Sequence, residues 1–320
     1  MLFPLVLLVA SVGCGLLVRA AAGGQLTALL VAPVGYALVV ATCSFATSYG
    51  WLAPLGGPLV AVFAVAGLAL EARARRPLRR PRPSLSRWVW PLLAALAAFA
   101  AVGGPVFLTG EVGWTGYTRI VDIAFQMDFA QHLADAGRVS PPNGNSSYYI
   151  VNSKLLGIGY PGGSQATLGA MAKLTGTNVA WAYQAFLAFT AAMGAVAVYS
   201  LLGRVTRNGL MRFIGAAVAI QPNVLYGYAL EAGIKELTTA ALLLVVAAVL
   251  ADSLPGERRR LGAVPLAVAT SGAFGAFSLG IAPWLGIMLA GALLVSLIRG
   301  PRRVHALQSW LVFAVVAIVI

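Results

Sequence analysis

Apolar runs long enough to cross a lipid bilayer recur from one end of this chain to the other, and no other feature restricts its fold as strongly. A hydrocarbon core of about 30 Å is crossed by roughly 17–25 apolar residues in a helix rising about 1.5 Å per residue. Runs of this kind lie near residues 2–18, 26–47, 51–70, 88–108, 179–202, 213–230, 237–251, 262–279, 281–298 and 306–320. They predict an all-α polytopic membrane protein with about ten transmembrane helices. Only 10% of the 320 residues are charged and 60% are hydrophobic, against about 25% charged in a soluble domain, so a soluble fold is excluded. The first run has no basic residue ahead of it and Arg19 behind it, which marks a retained span and not a cleaved leader. The last run, from Trp310 to Ile320, carries no polar tail and predicts that further chain follows.

The net charge of +13 would suit a nucleic-acid partner if it were gathered on one surface. Instead it sits in short links between apolar runs: the Arg- and Pro-rich loop 71–87, then Arg204/Arg207/Arg212, Arg258/Arg259/Arg260 and Arg299/Arg302/Arg303. This is the positive-inside pattern, with the clusters beside anionic headgroups, and it predicts no nucleic-acid partner. Alternating the runs from that loop puts every Arg cluster in the cytoplasm and the N-terminus outside. The chain then divides into four spans (1–108), an extracytoplasmic loop (109–178) and six further spans (179–320). Cys14 and Cys43 both fall within apolar runs and are expected to be packing residues.

The loop reverses the charge bias. Of 22 basic residues only Arg119, Arg138, Lys154, Lys173 and Lys235 lie outside, yet six of nine acids do: Glu111, Asp122, Asp128, Asp135, Glu231 and Glu236. Acidic residues contribute little to orientation, so their gathering invites a functional reading. The loop opens with Gly, Trp114 and Tyr117, suited to the headgroup level. Residues 119–136 then lack Gly and Pro and repeat apolar positions at helical spacing, with Gly137 as a stop. This predicts a helix lying on the membrane surface. On it Asp122 and Asp128 are six residues apart and point in different directions, so they form no dyad. His132 follows Asp128 by four, close enough to share a face and orient a base or hold a metal. A solvated helix face is the competing reading for all three, weakest for Asp122, which Val121, Ile123 and Phe125 flank with apolar surface. A polar turn, 140–147, leads to Tyr148 and Tyr149, then to Gly157-Ile-Gly-Tyr-Pro-Gly-Gly and a second expected surface helix, 164–174. The glycine amides before that helix could receive an anion, although a plain turn explains them as well.

The segment Asp122-Ile-Ala-Phe-Gln-Met-Asp-Phe-Ala-Gln-His-Leu-Ala-Asp-Ala-Gly, followed by Gly159-Tyr-Pro-Gly-Gly-Ser-Gln-Ala-Thr-Leu-Gly, resembles the outer loop of the GT-C superfamily of membrane glycosyltransferases. The likeness covers roughly Gly113 to Gly176. It departs from the family in carrying Ile123, not a second acid, after Asp122, and in placing four spans before the loop. The resemblance implies transfer of a sugar from a polyprenyl-phosphate donor to an envelope glycan or lipid acceptor. It implies Asp122 as the base, with Asp128 as rival, and cationic or amide donors, with or without a divalent metal ion, for the departing phosphate. Independently, Glu231-Ala-Gly-Ile-Lys-Glu236 links two spans on the same side, where Lys235 either binds a lipid phosphate or pairs with Glu231. Pro222, Gly227 and Gly233 predict a broken helix there. The expected site is thus Asp122 and Asp128 for catalysis, with His132, Tyr160, Glu231, Lys235 and Glu236 for substrate. The alternatives are a transporter or flippase of lipid-linked glycans, which Pro283 and the glycines of 272–286 keep open, and a non-catalytic docking protein.

Overall fold

The structure is a computed structural model that describes residues 2–74, 86–108, 121–142, 144–231, 233–252, 260–299 and 303–319. Most of the Arg-rich linker, the opening of the long loop with Glu111, Trp114, Tyr117 and Arg119, and Arg258, Arg259 and Arg302 lie outside the described residues. Every regular element among the described residues is helical: α1 (Leu2–Ala21), α2 (Val31–Thr47), α3 (Gly56–Ala74), α4 (Ser86–Leu108), α5 (Val121–Ala136), α6 (Ser147–Gly157), α7 (Gly163–Leu174), α8 (Val179–Leu202), α9 (Gly209–Ala219), α10 (Asn223–Leu230), α11 (Ile234–Asp252), α12 (Val264–Phe277), α13 (Ala282–Arg299) and α14 (Arg303–Val319).

Among the described residues six stretches are long and apolar enough to cross a membrane: Leu2–Ala21, Ala28–Thr47, Ala53–Ala74, Val179–Leu202, Ile234–Asp252, and Leu261–Ile298, which takes in α12 and nearly all of α13. The chain is a helical multi-pass membrane protein. Trp88–Gly104, Gly209–Ala219 and Val304–Val319 are apolar but shorter. The expected span 213–230 is interrupted, because α9 stops at Ala219 and Pro222, which has no N–H to donate, caps α10. Cys14 and Cys43 are buried, free thiols.

Small residues let the helices approach backbone to backbone. A Cβ on Gly15 would overlap the Val31 carbonyl, one on Gly35 the Ser11 carbonyl, and one on Gly67 the Gly13 carbonyl, so α1 is clasped between α2 and α3. Helix α8 packs on α4 and α11, and α12 closes the bundle between α2 and α11. Polar side chains pin these contacts: Tyr36 Oη and Thr190 Oγ1 lie 2.7 Å apart, and Gln184 Nε2 donates to the Val102 carbonyl at 2.7 Å.

The loop corrects the expectation of two surface helices, since its described part holds three and the last is not on the surface. Residues Gly163 to Ala172 of α7 are all buried, packed among α2, α3, α5, α8, α11 and α12. Gly163 meets the Gly275 carbonyl, Gly169 the Ala130 carbonyl, and a Cβ on Gly57 of α3 would lie 2.8 Å from the Ala170 carbonyl. Helix α5 buries one face against α7 and leaves the other open.

Gly35→Val is expected to lower stability by about 1–3 kcal/mol through overpacking, read as a fall in thermal midpoint in detergent. Gly291→Ala, at an open position on α13, should leave the midpoint unchanged; equal losses would refute the clasped arrangement of α1.

Candidate functional site

The N-terminal end of α7 meets α5, α11 and the end of α12 in a polar cluster. Three local features build it. Gly137, at φ +67°, ends α5 in the left-handed conformation that glycine adopts without strain, as the sequence anticipates. The next amide, of Arg138, bonds the Thr47 carbonyl at the end of α2 at 2.8 Å and aims the Arg138 side chain back at α7. Gly159, at φ +65°, turns the chain out of α6 so that Tyr160 packs on α5, its ring centroid 5.9 Å from that of Phe129. Phe277 ends α12, and Ser278 follows at φ 52°, ψ −143°, a conformation almost confined to glycine.

Tyr160 is the hub. Its ring lies 4.1 Å beneath Lys235 Nζ, a cation–π geometry. Lys235 also lies 5.7 Å from the Phe277 ring and 3.7 Å from Glu236 Oε1. The Tyr160 carbonyl accepts from Arg138 Nη1 at 3.2 Å, and its hydroxyl accepts from Gln126 Nε2 at 3.1 Å. Gln126 in turn accepts from Gln165 Nε2 of α7 at 2.5 Å. Burial pushes the Arg138 guanidinium below its ordinary pKa.

The two expected catalytic carboxylates separate cleanly on α5. Ile123, Phe129, Ala130, Leu133 and Ala134 define its buried face, and Gln126 faces the cluster from the same side. Asp122 is one turn before Gln126 on that stripe and exposed at the helix's N-terminal end. Asp128 is two residues beyond Gln126, about 200° round the helix. It is turned away toward α6, where its charge reaches Tyr148, and partial burial raises its carboxyl pKa. Asp135, near the other end of α5, would also be raised by burial, but hydrogen bonds from Lys173 and Gln131 hold it below the ordinary value.

His132 does not pair with Asp128 in the way its spacing suggests. The ring is 2% exposed; Nε2 donates to the Val139 carbonyl at 2.8 Å and Nδ1 meets the Tyr148 hydroxyl at 2.9 Å, which fastens α6 to the end of α5. Tyr160, Lys235 and Glu236 come together as described, whereas Glu231 is exposed at the end of α10 and is not the carboxylate within 4 Å of Lys235. Sequence reasoning gave no role to Gln126, Ser164 or Gln165, and counted Arg138 only as a basic residue of the loop. The available signal was positional, because Gln126 falls one turn from Asp122 and Ser164-Gln165 opens the helix after the double glycine. Among the described residues no three His, Cys, Asp or Glu side chains converge to hold a metal ion.

Set against protein-family models, curated proteins and solved structures, the chain matches none.

His132→Phe is expected to cost about 1–3 kcal/mol, because it strips partners from Tyr148 and a backbone carbonyl. A thermal midpoint equal to wild type would refute its structural role.

Proposed function

We propose that this chain is a glycosyltransferase of the GT-C kind, moving a sugar from a polyprenyl-phosphate donor to an envelope glycan or lipid acceptor on the outer face of a bacterial plasma membrane. The observation that carries the reading is the pairing on one stripe of α5 of an exposed carboxylate, Asp122, with a partly buried cationic cluster one turn away around Tyr160. In the proposed reaction the acceptor hydroxyl gives its proton to Asp122 as its oxygen attacks the anomeric carbon. The bond between that carbon and the phosphate oxygen breaks, and the phosphate leaves with the electron pair toward Lys235 and Arg138. Exposure suits Asp122 to an acceptor arriving from water, while the cluster abuts the ends of the apolar helices α11 and α12, suited to a donor arriving through lipid. The Arg-rich links at the opposite ends of the spans support an extracytoplasmic location for the loop.

The test compares sugar transfer by the purified protein in lipid, supplied with a polyprenyl-phosphate sugar, for wild type, Asp122→Asn and Asp128→Asn. Transfer should fall about 100-fold or more in the first and stay within a few-fold of wild type in the second. Unchanged transfer in Asp122→Asn would remove the base, and accumulation of lipid-linked sugar across the bilayer without chemical change would make the protein a transporter.

A further inference from the structure

We infer that the N-terminal end of α7, with Arg138 and Lys235 beside it, is a binding site for a phosphate group. This deepens the transferase reading by naming where the donor's phosphate sits, and it rests on that reading only for the identity of the lipid.

The first argument is electrostatic. The N-terminus of a helix behaves as roughly half a positive charge, and cations placed there are unfavourable unless an anion joins them. Here two cations are placed there. The Arg138 guanidinium bonds the Tyr160 carbonyl, two residues before the Gly162 N-cap, and a Cβ on Gly162 would stand 3.3 Å from Arg138 Nη2. Lys235 sits on the Tyr160 ring. Among the described residues Glu236 of α11 is the one carboxylate within 4 Å of Lys235, and none forms an ion pair with Arg138. Asp122 lies one turn from Gln126 on the same stripe but forms no ion pair with either cation, and Asp135 is engaged by Lys173 at 2.7 Å. Among the described residues, two cations and a helix terminus are therefore answered by one ion-paired carboxylate, in a place where desolvation makes the imbalance costly.

The second argument is the hydrogen-bonding inventory. The first amides of a helix have no intrahelical acceptor, and Gly162 offers no side-chain cap. Ser164 and Gln165, the second and third residues of α7, are both 0% exposed, and the Ser164 hydroxyl and the Gln165 side-chain oxygen have no hydrogen-bond partner. The Gln165 amide points into the cluster, since its nitrogen bonds Gln126. If both glutamine amides rotate by half a turn, the two hydrogen bonds survive with directions reversed, Tyr160 now donating to Gln126. The free end of Gln165 then becomes an NH2 donor. Backbone amides, a hydroxyl, an amide donor and two cations make a donor set matched to phosphate, which offers only acceptors at full ionisation. The glycines serve a different purpose: Gly163 seats α7 against the Gly275 carbonyl and Gly162 abuts Leu133 and Phe129, which fixes the terminus in position.

The experiment measures binding of farnesyl phosphate, farnesol and inorganic phosphate to the full chain in nanodiscs. Variants are Lys235→Gln, Arg138→Gln and Ser164→Ala, with Lys173→Gln as a control, and thermal midpoints confirm folding. Farnesyl phosphate should bind about tenfold or more tighter than farnesol, and loss of either cation should weaken it about 10- to 100-fold while leaving farnesol unchanged. Ser164→Ala should weaken it several-fold and Lys173→Gln not at all. Should a folded Arg138→Gln prove unobtainable, Lys235→Gln and Ser164→Ala carry the test. Displacement by millimolar inorganic phosphate would assign recognition to the phosphate alone; no displacement would assign it to the lipid phosphate as a whole. Equal affinity for farnesol and farnesyl phosphate, or affinity unchanged in Lys235→Gln and Ser164→Ala, would overturn the site. Phosphate binding without sugar transfer would keep the site and remove the transferase, and sugar transfer with phosphate affinity indifferent to these variants would do the reverse.

Discussion

The seating of α7 inside the bundle is the constraint on which the rest of the site depends. A twelve-residue helix carrying Ser164, Gln165 and Thr167 is fully buried at those positions, among helices whose packing is mainly apolar. Polar burial is costly without partners, and α7 recovers part of the cost locally, as Thr167 donates to the Gly163 carbonyl at 2.8 Å and Gln165 to Gln126. The remainder is offset by close approach. Gly163 on Gly275, Gly169 on Ala130 and Gly57 beneath Ala170 bring backbones together at the start of the helix and near its middle, and such contacts supply the dispersion that apolar side chains cannot supply against lipid. Enlarging any of them would shift the terminus on which Tyr160, Arg138 and Lys235 converge.

The membrane class was legible because it rests on length and apolarity, which a chain cannot disguise. The interruption of 213–230 was legible for a covalent reason, the missing amide of Pro222. The position of α7 was not. Its sequence, Gly-Ser-Gln-Ala-Thr-Leu-Gly-Ala-Met-Ala-Lys-Leu, has the middling polarity of a surface helix, and the same small residues that lower its hydrophobicity are those that admit close packing. Composition cannot separate these outcomes, because the difference lies in which backbones the glycines meet. Helix α6 was missed for a related reason: it opens with Ser-Tyr-Tyr and carries no strong apolar stripe.

The site was legible in part. Tyr160 was singled out through the resemblance and Lys235 and Glu236 through their place in an outer link, and the fold brings them within a few ångströms although Tyr160 lies some 75 residues from the other two. Spacing says only that Asp122 and Asp128 diverge, not which of them shares the side of α5 that packs on α7. That is a tertiary fact, expressed by Gln126. His132 shows the opposite failure: its i, i+4 spacing from Asp128 was real, but the Val139 carbonyl and Tyr148 hydroxyl claim both ring nitrogens.

Strain at the end of α12 completes the picture. Ser278 holds φ 52°, ψ −143° where glycine would be unstrained, at a cost on the order of 1–3 kcal/mol. Its neighbour Phe277 is the second ring within reach of Lys235, and α12 is the helix whose Gly275 supports α7. The strained joint thus lies where one helix both seats the N-terminal end of α7 and flanks the Lys235 ammonium. A relaxed joint would let α12 continue or turn differently, and either change would move Phe277 relative to Lys235. The packing of α12 against α2 and α11 holds the joint in place, so the bundle that makes this a membrane protein also fixes the spacing between its cation and its helix terminus.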